Sequence, residues 1–221
     1  MDDLTLIIPA KHESESLPTV LNELKKYNLK IIIILEQDDL KTINSIEEFD
    51  CKILYQTNKG YGDALIQGIE DVKSKFFCIF NADGSFDPKE LNNMYNYAQN
   101  LGADFVFGSR YMLNASSEDD TIITLVGNKI FSFIGKVFFS LPISDILYTF
   151  VLGNTEKAKN LSLKERSFPF CVELPILAKK NNYNLVSTPA NERARYAGVK
   201  KVNALKDGLF ILIKMIQLFF K

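Results

Sequence analysis

Apolar residues along the chain fall into two alternating kinds of run. Short, nearly unbroken ones occur at Leu4–Pro9, Lys30–Leu35, 53–55, 76–80 and 104–108. Runs of this kind predict strands covered on both faces, as in a parallel sheet. Between them, apolar positions recur at helical spacing over 16–27, 63–73 and 88–100, with Leu17, Val20, Leu21 and Leu24 on one face of the first. This alternation predicts a mostly parallel, doubly wound α/β sheet. After Tyr111 the rhythm changes to a polar, acidic loop at 114–121 and an apolar helix at 125–141. A strand at 147–154, a helix at 172–181, a strand at 184–188 and a helix at 203–220 complete the expected order. No repeat, low-complexity stretch or linker interrupts it, so one domain (1–202) followed by a C-terminal helix (203–221) is expected.

At 221 residues with 47% hydrophobic content, the chain suffices for one domain with a sizeable core. A net charge of −1 gives no electrostatic support to coating nucleic acid. The balance is uneven, however. Glu36, Asp38, Asp39, Glu47, Glu48 and Asp50 make the early chain acidic, while Arg193, Arg195, Lys200, Lys201, Lys206, Lys214 and Lys221 make the tail basic. That asymmetry points to an anionic substrate or a membrane surface near the C-terminus. Cys51, Cys78 and Cys171 are too far apart for metal-ligand spacing, which predicts reduced thiols and a cytoplasmic location. The start, MDDLTLIIPA, lacks the pattern of a signal peptide. No uninterrupted apolar run reaches spanning length: 130–143 is broken by Lys136 and Pro142, and 208–220 carries Lys214 and Gln217.

Candidate chemistry concentrates where the strand at 76–80 stops at Asn81-Ala82-Asp83-Gly84-Ser85. In open α/β sheets, ligands sit beyond the carboxyl ends of strands. A carboxylate there, next to a glycine that lets backbone approach closely, suits a divalent cation carrying a diphosphate; a plain Asp-Gly turn is the alternative. Asn58-Lys59-Gly60-Tyr61-Gly62 leads into a helix and so suits phosphate, or again a plain turn. Arg110 follows a strand end, where packing alone does not call for an arginine.

In order, these segments resemble family 2 glycosyltransferases of the GT-A fold. Ile7-Ile8-Pro9-Ala10-Lys11-His12-Glu13 is similar to their opening segment, and 58–65 to their glycine-rich turn. Asn81–Pro88 resembles their metal-binding segment, with Asn81 where the family has a first aspartate. Gly108-Ser109-Arg110-Tyr111, Ser144-Asp145 and 195–201 resemble the dolichyl- or polyprenyl-phosphate sugar transferase branch, with Lys200 in place of its serine. The resemblance covers nearly the whole chain. It implies an inverting transfer of a sugar from a GDP- or UDP-sugar, with Mg²⁺ or Mn²⁺ as cofactor. The donor half would be 1–111 and the acceptor half 112–202.

On this reading Pro9, Ala10 and Glu13, with His12, shape the nucleotide pocket. Glu36, Gln37 and Asp38 accept from the base, or form a solvated acidic loop. Lys59, Gly60 and Gly62 meet phosphate. Asp83, helped by Asn81, holds the cation, and Ser85 supplies a hydroxyl or a bound water. Arg110 grips the phosphate of a lipid-phosphate acceptor, assisted by Asn128, Lys129, Ser132, Arg195 and Lys201. Asp145 is a general base or an acceptor-positioning group, according to whether the acceptor is a glycan hydroxyl or a phosphate. Glu173 is either an acidic site residue or a salt-bridge partner of Arg193 or Arg195, and Asp87 caps the helix beginning at Pro88. The expected partners are therefore the nucleotide-sugar donor, a lipid-phosphate or glycan acceptor, and a membrane surface or membrane protein touched peripherally by the tail helix. A nucleotidyltransferase is disfavoured because 9–16 lacks a glycine-rich arginine loop. A non-catalytic nucleotide-sugar binder is the remaining alternative.

Overall fold

A computed structural model describes residues 1–198 and 203–221; Lys200 and Lys201, expected at the acceptor side, lie outside the described residues. Seven strands form one sheet: β1 (Leu4–Pro9), β2 (Lys30–Leu35), β3 (Lys52–Tyr55), β4 (Phe76–Ile79), β5 (Phe105–Ser109), β6 (Val151–Asn154) and β7 (Leu185–Pro189). Their order is β3-β2-β1-β4-β6-β5-β7. All neighbours run parallel except at β6, which is antiparallel to both β4 and β5. The expected mostly parallel α/β sheet is therefore present. Only 151–154 of the strand expected at 147–154 is counted in it; just before, Phe150 still accepts from the Gly108 N–H, and Tyr148 and Phe150 pack their rings against Phe86.

Helices cover both faces: α1 (Leu17–Leu24), α2 (Leu40–Ser45), α3 (Tyr61–Asp71), α4 (Glu90–Asn100), α5 (Ile122–Phe139), α6 (Thr155–Asn160), α7 (Phe170–Lys180) and α8 (Ala204–Phe219). Strand residues alternate between two cores, as their period of two requires. Ile7, Ile32, Ile34, Phe77 and Ile79 face one layer with α3, α7 and α8. Leu6, Ile8, Ile33, Leu35 and Cys78 face the other, with α1 and α4. The three cysteines are free thiols.

Two features place the site. Connections leave β1 toward β2 on one side, while β4 lies on the other, so the chain reverses its direction of travel across the sheet between β1 and β4. The crevice at such a switch point is where open α/β sheets hold ligands. It is bordered here by 10–13 after β1 and 80–85 after β4.

The second feature is α5. Although the apolar run was expected to fall short of spanning length, α5 has 18 residues and is long and apolar enough to cross a membrane by length and composition. A helix tolerates the polar interruptions that break a run. One side of it is tied to the domain: Asn128 donates to Tyr111, Ser132 accepts from the Ile146 N–H, and Gly135 packs against Leu141 and Ile146. This helix lies along the domain.

Candidate active site

Asp83 sits on the loop after β4, and its carboxylate is fixed from behind. Oδ1 accepts from the Ser85 N–H at 3.0 Å and from the Ser85 hydroxyl at 2.7 Å. The Asn81 amide donates to that same hydroxyl at 3.2 Å. Ser85 is buried, and its N–H and hydroxyl both position the Asp83 carboxylate. Oδ2 faces the Arg195 guanidinium at 3.7 Å. Gly84 has φ +86°, and a Cβ there would meet the Tyr196 ring at 2.4 Å, so both conformation and close approach require glycine.

Residues 192–196 form a strip between two loops. Arg193 N–H donates to Ser85 and Tyr196 N–H to Asp83, both at 2.8 Å to the carbonyl oxygens. On the other side Glu192 exchanges backbone hydrogen bonds with Ser116 and Glu118. Arg193 holds Glu23 with two nitrogens and also reaches the Gly84 and Phe86 carbonyls. Arg195 lies at 2.7 Å from Asp119, and the charge and hydrogen bond of Asp119 raise its pKa.

The adjacent Asp120 belongs to the second arginine. Arg110, at the end of β5, binds Asp145 through Nε at 2.7 Å and Nη2 at 2.9 Å. Its Nη1 reaches Glu192 at 3.2 Å and Asp120 at 3.5 Å. Burial works against the arginine's charge, but Asp145 and Glu192 more than offset it and raise its pKa. Burial likewise pushes Glu192 above the usual carboxylate range, while Arg110 pulls it down. Tyr111 donates to Asp120 at 2.6 Å and accepts from Asn128 at 2.8 Å. A continuous array thus runs from Asp83 through Arg195, Asp119, Asp120 and Arg110 to Asp145.

Asp145, the group expected as a general base or an acceptor-positioning residue, has Arg110 on each of its oxygens and no exposed surface. Glu173 is corrected: it pairs with Lys214 of α8 at 2.8 Å and accepts the Lys164 and Glu165 N–H groups, not Arg193 or Arg195. Ser132 is occupied by the Ile146 N–H and Lys129 is exposed.

On the donor side, Pro9 ends β1, Ala10 is buried, and Glu13 accepts from the Ser16 hydroxyl at 2.7 Å. Gln37 and Asp38 are exposed. Lys11 binds Glu36 at 2.7 Å and lowers its pKa, with Lys59 at 3.8 Å. His12 N–H and Thr42 N–H both donate to Asp39, which caps α2 and ties the loop after β1 to the loop after β2. Gly60 and Gly62 meet a packing demand. A Cβ on Gly62 would lie 2.2 Å from the Glu165 carbonyl oxygen, and the Asp63 N–H donates to the Arg166 carbonyl at 3.0 Å. Gly62→Ala is therefore expected to cost about 1–3 kcal/mol as backbone moves aside; an unchanged urea midpoint would refute this.

Glu192, Asp119 and Asp120 were missed by sequence reasoning. Each is one acid among many in a polar stretch. The only available signal was that a cation at a strand end needs carboxylates from somewhere.

Among the described residues, no three His, Cys, Asp or Glu side chains come together around an ion. One carboxylate, Asp83, borders the position, with Asn81 on the same loop and tied to it through Ser85. Mg²⁺ is commonly held this way, by one or two carboxylates with substrate phosphates and water completing the shell. That Asp83 Oδ2 already faces a guanidinium shows that the position accepts positive charge. The residues present fit a cation brought with a diphosphate.

The chain is 26% identical over 208 residues to UDP-N-acetylglucosamine–dolichyl-phosphate N-acetylglucosaminyltransferase of Methanococcus voltae, covering 83% of each chain. It is 23% identical over 222 residues to polyprenol monophosphomannose synthase of Mycolicibacterium smegmatis, covering 93% of this chain and 83% of that one. The fold matches glucosyl-3-phosphoglycerate synthase of Mycobacterium tuberculosis, solved with Mn²⁺, UDP and glucosyl-3-phosphoglycerate. The TM-score is 0.75 at 11% identity, over 97% of this chain and 79% of that one. The profile of the family described as glycosyl transferase family 2 matches residues 5–161. With that profile spanning well over half its length, the chain belongs to glycosyl transferase family 2 and is a glycosyltransferase on the GT-A fold.

Proposed function

We propose that the chain transfers one sugar from a nucleotide-diphospho-sugar to a polyprenyl phosphate presented at a membrane surface. The observation that carries this is the array joining Asp83 to two arginines, Arg195 and Arg110, through the neighbouring carboxylates Asp119 and Asp120. The donor's diphosphate and the acceptor's phosphate each need cations within a short reach of the sugar, and arginine suits phosphate because its planar fork binds two oxygens. The sealed Asp145 favours a phosphate acceptor over a hydroxyl one, since a phosphate monoester is already an oxyanion and needs no base. Two relatives are named for dolichyl-phosphate and polyprenol-monophosphate chemistry, which agrees.

In this reading Pro9, Ala10 and Glu13 frame the nucleotide, and Glu36, Gln37 and Asp38 border its base. Lys59 lies at the phosphate side of that pocket. Arg110 releases Glu192 or Asp120 to take the acceptor phosphate, with Arg195 beside the diphosphate. A phosphate oxygen attacks the sugar's anomeric carbon as the bond to the nucleoside diphosphate breaks, inverting that centre. A divalent cation held by Asp83 and Asn81, Mg²⁺ or Mn²⁺, supplies charge neutralisation for the departing diphosphate.

The test is thermal unfolding with UDP-, GDP- and CMP-sugars, each with and without Mn²⁺. At a hundredfold excess over Kd, the matching donor stabilises by about 2.7 kcal/mol. That corresponds to a rise of about 5 °C or more for a chain of this size, seen only with the cation. Radiolabelled sugar from that donor should then appear on a short-chain polyprenyl phosphate. A folded protein that responds to no donor would end the proposal.

A further inference from the structure

We infer that the paired outer faces of α5 and α8 form a flat docking surface for an anionic lipid bilayer; this deepens the proposed function and rests on it for the acceptor. On α5, Ile123, Val126, Ile130, Phe133 and Val137 recur every three or four residues and are between 50% and 69% exposed. On α8 and its C-terminal cap, Leu205, Leu209, Ile213, Ile216 and Phe220 repeat the same spacing and are between 41% and 85% exposed. Each helix already has a buried side, so the exposed stripe is a second apolar face that the domain does not use. On α8 the inner side is fixed by Ile211, Met215 and Leu218, by Lys214 on Glu173, and by Lys180 donating to the Leu218 carbonyl.

The two helices run side by side in the same direction. The Phe131 ring lies against Gly208, and Phe138 and Phe139 both meet the Phe219 ring within about 6 Å. Their stripes therefore merge into one surface. At 1.5 Å per residue and about 10 Å per helix, it measures roughly 25 Å by 20 Å, on the order of 500 Å². That is well short of the roughly 800 Å² per partner of a stable protein dimer.

Charge separates the remaining occupants. Lys129, Lys136, Lys206 and Lys221 are exposed on these two segments, and the only carboxylate on them, Asp207, accepts from the Asn203 N–H at the cap. Beside Phe138 and Phe219, a hollow is also lined by Lys179 and Lys180. A second copy packed on this face would set lysines against lysines. A bilayer rich in anionic lipid would take the apolar stripes into its headgroup boundary and meet the lysines at its surface.

The surface is also continuous with the site. The α5 cap, Thr121, directly follows Asp119 and Asp120, which hold Arg195 and Arg110. A polyprenyl chain lying in the bilayer would thus bring its phosphate to the arginines without leaving the membrane.

Vesicle flotation of the full chain tests this, using phosphatidylcholine vesicles with and without phosphatidylglycerol. The wild-type chain should float with the mixed vesicles and much less with phosphatidylcholine alone. Phe133→Glu and Ile213→Glu, both at exposed positions, should each lower the bound fraction about tenfold. Their melting temperature, donor-induced stabilisation and transfer to a short-chain soluble acceptor should be unchanged. A wild-type chain that stays out of the mixed vesicles overturns the inference. So does sedimentation showing a dimer that these substitutions dissolve without altering vesicle binding. Flotation with no transfer to any acceptor would instead count against the proposed function and leave the surface standing.

Discussion

Asp83→Asn is expected to reduce sugar transfer by about 10²- to 10³-fold, the usual effect of removing one preorganised group that stabilises charge in a transition state. The substitution is nearly isosteric. The amide oxygen still accepts from the Ser85 N–H and hydroxyl, so the loop keeps its shape. What disappears is the negative charge at the expected cation position, where the neighbouring position 81 is already an asparagine. Two consequences follow. Cation-dependent stabilisation by the donor should vanish while stability without ligand stays within about 1 kcal/mol of wild type, as for substitutions that break no buried contact. Arg195 should be left with Asp119 as its partner. A variant retaining more than about a tenth of wild-type turnover would remove Asp83 from the proposed role.

Arg110→Ala should be among the most destabilising single changes in the molecule. It leaves Asp145, with no exposed surface, and the buried Glu192 without the cation that both contact. Breaking a buried ion pair from one side costs about 3–5 kcal/mol, since the abandoned charges remain out of water. For a chain of this size that means a melting temperature lower by about 6–20 °C. Arg110→Lys should recover only part of the loss, because one ammonium cannot span both Asp145 oxygens and also reach Glu192. Asp145→Asn keeps the shape and removes one of several charges, so it should cost less than Arg110→Ala. A melting temperature within about 2 °C of wild type for Arg110→Ala would show that the carboxylates find other partners.

The strands were legible because each is a compact apolar run, and most helices were legible because their apolar positions keep one face. Boundaries moved by two or three residues, as at α5, expected over 125–141 and found at Ile122–Phe139. Two six-residue helices were not legible. Leu40–Ser45 and Thr155–Asn160 bury too few side chains to show a stripe, and they depend on caps from Asp39 and Asn154. The antiparallel direction of β6 leaves no trace in composition either, since an apolar strand reads the same both ways. At the site, motif positions placed Asp83 and Arg110 beyond strand ends. Their partners were hidden because the contacts span large separations: 35 residues from Arg110 to Asp145 and 82 to Glu192. Short-range pattern identifies groups that need a neighbour; the topology decides which neighbour arrives.

The position of β6 in the sheet also sets the order in which the protein can be completed as it is made. β3, β2, β1 and β4 are neighbours and come early, so they can assemble while the rest is still being synthesised. β5 pairs only with β6 and β7, both of which follow it. The 41 residues 110–150 lie between the end of β5 at Ser109 and the start of β6 at Val151. At about 5–20 residues per second, roughly 2–8 s pass on the ribosome before β5 has any partner. During that interval Phe105, Val106 and Phe107 are an apolar strand with two bare edges, the kind that recruits other chains. Messages that pause translation within this window should therefore yield more aggregate than those that pause after Asn154.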